Sequence, residues 1–213
     1  SDWRAVGKNG RVEASMQRPG MSLSAMSSEA VKSELAAAWA ELSAGIPSVD
    51  SFELYLAGIV TEDTRAALTD AIASLTGACD IDIQDDMMAA ARALFGRRPG
   101  IAAILGTGSN VCFYDGSKVH REVYAGGFIL GDEGSAAVLG RNFISDLIKG
   151  MVPAEIVAEL AADRDVSYPE IVRRVYRETA PSAYLGGFAP FILSHIEHPY
   201  VKALVETNFN AFL

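Results

Sequence analysis

The spacing of apolar positions changes repeatedly along the chain, and each change marks an element. Arg4-Ala5-Val6 and Arg11-Val12-Glu13-Ala14 flank Asn9-Gly10, the turn dipeptide of a two-stranded hairpin. Val31, Leu35, Trp39 and Leu42 then recur at helical intervals, which predicts an amphipathic helix capped by Ser27 or Ser28. The run from Phe52 to Ala57 reads as a buried strand. Thr61, followed by Glu62 and Asp63, opens a second helix that carries Leu68, Ile72 and Leu75 and is closed by Gly77. Ile81 and Ile83 alternate as in a short strand, and Asp85 to Phe95 forms a helix stopped by Gly96.

Arg97-Arg98-Pro99-Gly100 reads as a linker, and beyond it the plan restarts. Ile101 to Leu105 is a buried strand, Gly106-Thr107-Gly108-Ser109-Asn110 a turn, and Val111–Tyr114 with Lys118–Tyr124 a second hairpin around Asp115-Gly116. If the two halves repeat one unit, a strand and a glycine-rich loop are expected ahead of the first hairpin, before Ser1. Past residue 133 the pattern is helical, punctuated by glycine or proline near 150–153, 181 and 186–190, and no further strand is expected. Alternating strands and helices predict an α/β fold, divided into domains at 1–97 and 98–213.

Composition narrows the function. With 213 residues, half of them hydrophobic and 21% charged, the chain has ample material for a core and is not disordered. A net charge of −9 argues against nucleic acid as a partner, since phosphate-backbone binding wants clustered Lys and Arg. It leaves ATP open, because a nucleotide's charge is met locally by amides and a divalent ion. No apolar run approaches the ~18–20 residues that span a bilayer, and nothing resembles a signal peptide, so no membrane partner is expected. Cys79 and Cys112 sit in apolar, strand-like surroundings that suit core packing in a reducing, cytoplasmic setting.

Three strings carry candidate chemistry. A strand that breaks into Gly106-Thr107-Gly108-Ser109-Asn110 can point several N–H groups at an anion such as a phosphate, with Thr107 and Ser109 adding hydroxyl donors. The same string also suits a plain strand-to-strand turn. Asp85-Asp86 opens a helix just after a strand, where α/β folds place active-site groups; Asp86 is the better general base of the pair but on local sequence suits a helix cap more readily, and Asp85 is the better cap or simply exposed. Gly131-Asp132-Glu133-Gly134-Ser135 sets two carboxylates between glycines at a helix start, where Asp132 either accepts from sugar hydroxyls or caps the helix. His195-Ile196-Glu197-His198 lacks the i, i+4 spacing of a zinc helix, and Pro199 is expected to break the helix at once, so a solvated pair is expected there. His120 is expected to point to solvent.

Asp86-Met-Met-Ala-Ala-Ala-Arg-Ala-Leu94, Pro99-Gly-Ile-Ala-Ala-Ile-Leu-Gly-Thr-Gly-Ser-Asn110 and Gly127-Phe-Ile-Leu-Gly-Asp-Glu-Gly-Ser135, in this order and spacing, resemble the N-acetylglucosamine kinases. These belong to the BadF/BadG/BcrA/BcrD-type ATPase family of the actin-like and sugar-kinase superfamily. The resemblance runs to His195-Ile-Glu-His-Pro-Tyr200 and the helix after it. It implies two RNase H-like domains around a cleft, with ATP, Mg2+ and an amino sugar as ligands, and it admits a second copy of the chain as partner. Asp86 matches the catalytic base, and Gly106, Thr107 and Gly108 match the second phosphate loop. Ser109, Asn110 and Asp132 match positions that contact the sugar, as do backbone groups at Gly126 and Gly127; Gly187 matches a glycine near the nucleotide. The family's first Asp-x-Gly-x-Thr loop and its C-terminal adenosine segment have no counterpart in this sequence, and a sugar-holding asparagine would fall near Ser22, where this chain has none.

The resulting expectation is ATP-dependent phosphorylation of an amino sugar, N-acetylglucosamine to its 6-phosphate, with turnover by the 213-residue chain itself expected to be poor. Two alternatives stand beside it. One is an ATPase that activates a dehydratase, which would need cysteines for a shared iron–sulfur cluster. The other is a sugar sensor that does no catalysis.

Overall fold

A computed structural model gives the structure and describes residues 1–21, 23, 26–46, 48–57, 61–78, 80–120 and 125–213. Ser22, Cys79 and the 121–124 stretch of the second hairpin lie outside the described residues. The chain is α/β and divides into two compact units, Ser1–Ala93 and Leu94–Leu213.

In the first unit, β1 (Asp2–Val6) pairs antiparallel with β2 (Val12–Gln17), with a slip in register between Ala5 and Val6. α1 (Ser28–Leu42) is capped by Ser27, whose Oγ accepts from Ala30 N–H at 3.2 Å. Its core face is Val31, Leu35, Ala38 and Leu42, whereas Trp39, expected on that face, is only half-buried. β3 (Ser51–Leu56) runs parallel to β4 (Asp80–Asp85), and α2 (Glu62–Thr76) makes the crossover that a parallel pair requires. Thr61 caps α2 and Gly77 ends it at φ +69°; Leu68 and Ile72 are buried, but Leu75 is 38% exposed. α3 (Asp86–Phe95) follows β4 directly. Its cap is Asp85, whose Oδ1 accepts from Met88 N–H at 3.0 Å.

Arg92 ties α3 back to this parallel pair. Its Nη1 donates to Asp82 Oδ2 at 2.5 Å and to the Tyr55 hydroxyl at 2.7 Å. Burial pushes the Asp82 carboxyl up, but hydrogen bonds from Arg92 and Gln84 outweigh it and hold the group below its usual range. Among the described residues β1 and β3 each pair along one edge only, and both line a cleft of about 1000 Å³ formed by residues 1–8, 48–55 and the Trp39 side of α1.

The second unit opens with a three-stranded antiparallel sheet, β5 (Gly100–Leu105), β6 (Ser109–Tyr114) and β7 (Val119–His120), in that order. The apolar run in β5 is not buried throughout: Ala102 is inside, while Ile101 is 70% exposed, because successive strand residues face opposite sides. His120 does not simply face solvent. Its Nε2 lies 2.7 Å from Asp115 Oδ2, and this contact, with N–H groups of Lys118 and Ser117, holds the Asp115 carboxyl well below the usual range.

Among the described residues seven helices follow: α4 (Gly127–Leu130), α5 (Ala136–Ile148), α6 (Ala154–Asp163), α7 (Tyr168–Tyr176), α8 (Pro181–Gly186), α9 (Ala189–Ser194) and α10 (Pro199–Phe212). Phe143, Leu160, Leu185, Phe188, Ile192 and Val201 form the centre of their shared core. A Cβ on Gly140 would overlap the Leu185 carbonyl oxygen, so α8 lies backbone to backbone on α5. As expected, no helix runs through Pro199: α9 ends at Ser194, and the proline opens α10, where its missing N–H costs nothing.

Candidate active site

Gly106-Thr107-Gly108 forms the tight turn between β5 and β6, with Leu105 opposite Ser109 and the Gly106 N–H donating to Gly108 O at 2.9 Å. Its carbonyls do further work. Gly106 O accepts from Ala136 N–H at 2.9 Å and Thr107 O from Ala137 N–H at 3.1 Å, while Val138 N–H finds Ser135 Oγ at 3.2 Å. The turn therefore satisfies the first two orphan amides of α5, and the cap satisfies the third. Among the described residues no backbone carbonyl accepts from Thr107 or Gly108 N–H, which leaves two adjacent amides for an anion. A Cβ on Gly186 would lie 3.6 Å from Thr107 Cγ2, so the end of α8, next to Gly187, borders the same turn.

Gly131–Ser135 is a loop that precedes α5, not its first turn. The cap is Ser135, which corrects the option of Asp132 in that role. Asp132 instead adopts the left-handed conformation, φ +57°, which suits Asp and Asn better than other residues with a side chain. Its carboxylate lies against Gly108, where a Cβ would approach Asp132 Oδ2 to 2.7 Å. Burial pushes the Asp132 carboxyl up; N–H groups of Ser109 and Gly127 oppose that shift, and the Glu133 charge adds to it. Ser109 Oγ also donates to Glu133 O at 2.7 Å.

The structure thus brings Gly106, Thr107, Gly108, Ser109, Gly127 and Asp132 into one laced constellation, with Gly186, the residue before Gly187, at its border. Gly126 closes against Gly131, their backbones so near that a Cβ on Gly131 would sit 3.1 Å from Gly126 Cα. Asn110 stands on β6 opposite Ile104, and its Oδ1 accepts from Val111 N–H at 2.9 Å. Asp86 belongs to the first unit, as the half-buried first residue of α3. The constellation offers free amides for a phosphate and a fixed carboxylate for hydroxyl groups.

His195 and His198 face different carboxylates, Glu159 at 3.1 Å and Glu155 at 3.3 Å. Among the described residues no three His, Cys, Asp or Glu side chains converge as a metal site, and no helix is long and apolar enough to cross a membrane.

Three supporting residues escaped the sequence reading. Arg141 donates to Phe128 O and holds α4; Ser135 caps α5; Asn208, on α10, reaches the Gly131–Ser135 loop. Only Asn208 left a trace, as a polar residue continuing the apolar stripe of Val201 and Val205.

Comparison with protein-family models gives no match, and no curated protein matches the chain. Solved structures do match, and two of them, both crystal structures, bear on the family and the fold. A protein from Porphyromonas gingivalis described as a "putative N-acetylglucosamine kinase" is 37% identical over all of this chain and 75% of its own, with a TM-score of 0.84. A protein of the same description from Chromobacterium violaceum is 23% identical over 99% of this chain and 77% of its own, with a TM-score of 0.70, and so speaks for the fold.

Proposed function

The chain belongs to the N-acetylglucosamine kinase family, and we propose that it transfers the γ-phosphoryl group of ATP to the 6-hydroxyl of N-acetylglucosamine or a related amino sugar. The observation that carries the reading is the Asp132 carboxylate, half-buried and fixed between Gly108, Ser109 and Gly127 beside a turn with two unused amides. A fixed carboxylate orients sugar hydroxyls, and spare turn amides suit phosphate oxygens. On this reading each unit is an RNase H-like domain of the actin-like fold, with the boundary near 97, and the protein works in the cytoplasm.

Phosphoryl transfer asks for positioning and charge stabilisation more than for covalent chemistry. Thr107 and its glycine neighbours would hold phosphate oxygens, with Gly187 near the nucleotide. Ser109, Asn110, Asp132 and the backbone at Gly126 and Gly127 would hold the sugar. Asp86 would accept the proton of the attacking hydroxyl; its helix is anchored by the cap at Asp85 and the Arg92 clamp, which limits its wander. The residues described suit a Mg2+ ion carried by the nucleotide's phosphate oxygens and water, where it would neutralise charge between the phosphates.

The test is Asp86→Asn, which keeps the side chain's shape but cannot accept the proton. Turnover with N-acetylglucosamine and Mg-ATP should fall by ~10²–10⁴-fold, with sugar affinity retained. Near-normal turnover would remove Asp86 from the mechanism.

A further inference from the structure

We infer that Asn208 is a positioning residue for the sugar, acting through Asp132; the inference rests on the reading of Asp132 as a sugar contact. Asn208 is 2% exposed, and with Ser135 it is one of the two buried polar residues recorded among those described. Its Oδ1 accepts from Gly134 N–H at 3.3 Å and its Nδ2 donates to Ser135 O at 3.2 Å. One primary amide thus serves a backbone donor and a backbone acceptor at neighbouring residues, more than 70 positions away along the chain. No apolar side chain and no carboxylate can do both.

The loop needs this hold. Asp132 is in the left-handed region, and Gly134 beside it is at φ +79°, so the segment is bent twice within three residues. A Cβ on Gly134 would lie 2.9 Å from both Leu105 and Phe212, which shows that α10 and β5 close directly on it. From the other side Ser109 Oγ holds Glu133 O, and Ser135 N–H donates to Asp132 O at 3.0 Å. Asn208 and Ser109 therefore grip consecutive parts of one strained turn. Release of the Asn208 grip frees Gly134 and Ser135, and with them the aim of the Asp132 carboxylate at the N–H groups of Ser109 and Gly127. Loss of the Asn208 amide also leaves the Gly134 N–H without its acceptor, whereas Ser135 O keeps the Leu139 N–H at 3.0 Å, so the turn must move to bring Gly134 N–H to water.

The experiment is calorimetry with N-acetylglucosamine on the full chain, for Asn208→Leu, Asp132→Asn and the double variant. Asn208→Leu should weaken the sugar about tenfold and move the pH dependence of binding toward that of an ordinary carboxylate, which a change in global stability alone would not do. In the Asp132→Asn background Asn208→Leu should cost little more, because residues acting as one unit are not additive. If Asn208→Leu does not fold, Asn208→Ser, which keeps one hydroxyl, reads the same cycle. An equal loss in both backgrounds, or an unchanged sugar affinity, overturns the inference alone. Unchanged affinity in Asp132→Asn overturns the sugar-contact reading and takes this inference with it.

Discussion

Gly140→Ala should destabilise this protein, although glycine to alanine inside a helix ordinarily does the opposite. Alanine is favoured over glycine by about 1 kcal/mol in a helix interior. At position 140 the added Cβ would overlap the Leu185 carbonyl oxygen and sit 2.7 Å from its carbonyl carbon, whereas ordinary contact begins near 3.4 Å. The obstacle is backbone, so no rotamer change relieves it, and α8 must retreat by more than the ~0.7 Å that the carbonyl carbon alone would require, because the oxygen is closer still. Overpacking of this kind costs about 1–3 kcal/mol. With the upper end applying and the propensity gain subtracted, the net loss is about 2 kcal/mol, or a fall of roughly 4–8 °C in Tm for a chain of this size. The retreat also draws Gly186 away from Thr107, so if that turn holds phosphate as proposed, nucleotide affinity should fall more than sugar affinity. Thermal melting and calorimetry with each ligand measure both effects. A Tm that is unchanged or raised would show that α8 does not bear on Gly140 as described.

Gly108→Ala places a Cβ 2.7 Å from Asp132 Oδ2, the far end of a side chain and not backbone, so the fold should tolerate it while the displaced carboxylate weakens the sugar about tenfold in calorimetry. Asp132→Asn should weaken the sugar by roughly 10–100-fold, the range expected for hydrogen bonds to a charged acceptor, with nucleotide affinity unchanged. Because burial raises the Asp132 pKa in the folded chain above its unfolded value, protonation favours folding. That contribution is present below the unfolded pKa and is lost as pH rises through the folded one, so at neutral pH the ionised group is a standing cost. Asp132→Asn should therefore raise the Tm at pH 7 and leave it nearly unchanged in acid, and wild-type sugar binding should weaken on acidification at a higher pH than an ordinary carboxylate would dictate; a flat pH profile would refute both.

What the sequence disclosed was mainly what neighbours in the chain decide. Ser27, Thr61, Gly77 and Gly96 mark helix ends because capping needs only residues a few positions apart, and Asp85 took the capping role for the same reason. The exposure of Leu75 and the partial exposure of Trp39 were not legible, since a periodic stripe gives the face of a helix but not where its partner stops. Pro199 shows the same limit: local chemistry forbids proline inside a helix, yet permits it at the first turn, and the pattern alone did not choose. At the site, the glycine-rich strings were visible one by one. Their lacing was not, because it depends on Ala136 and Ala137 amides meeting carbonyls about 30 residues earlier in the chain.

That lacing has a thermodynamic consequence. The Gly106–Gly108 turn and the loop that carries Asp132 share the amides of α5, the Ser109–Glu133 bond and the Asp132–Gly108 contact. On the proposed reading a sugar at Asp132 and a nucleotide at Thr107 would lean on parts of one such body, which gives them a route to couple. If one stiffens the turn, the other finds part of its ordering cost already met. Linkage then fixes the bookkeeping: the factor by which a sugar alters nucleotide affinity must equal the factor by which the nucleotide alters sugar affinity. Such cooperativity needs no change of shape, only a shared loss of freedom.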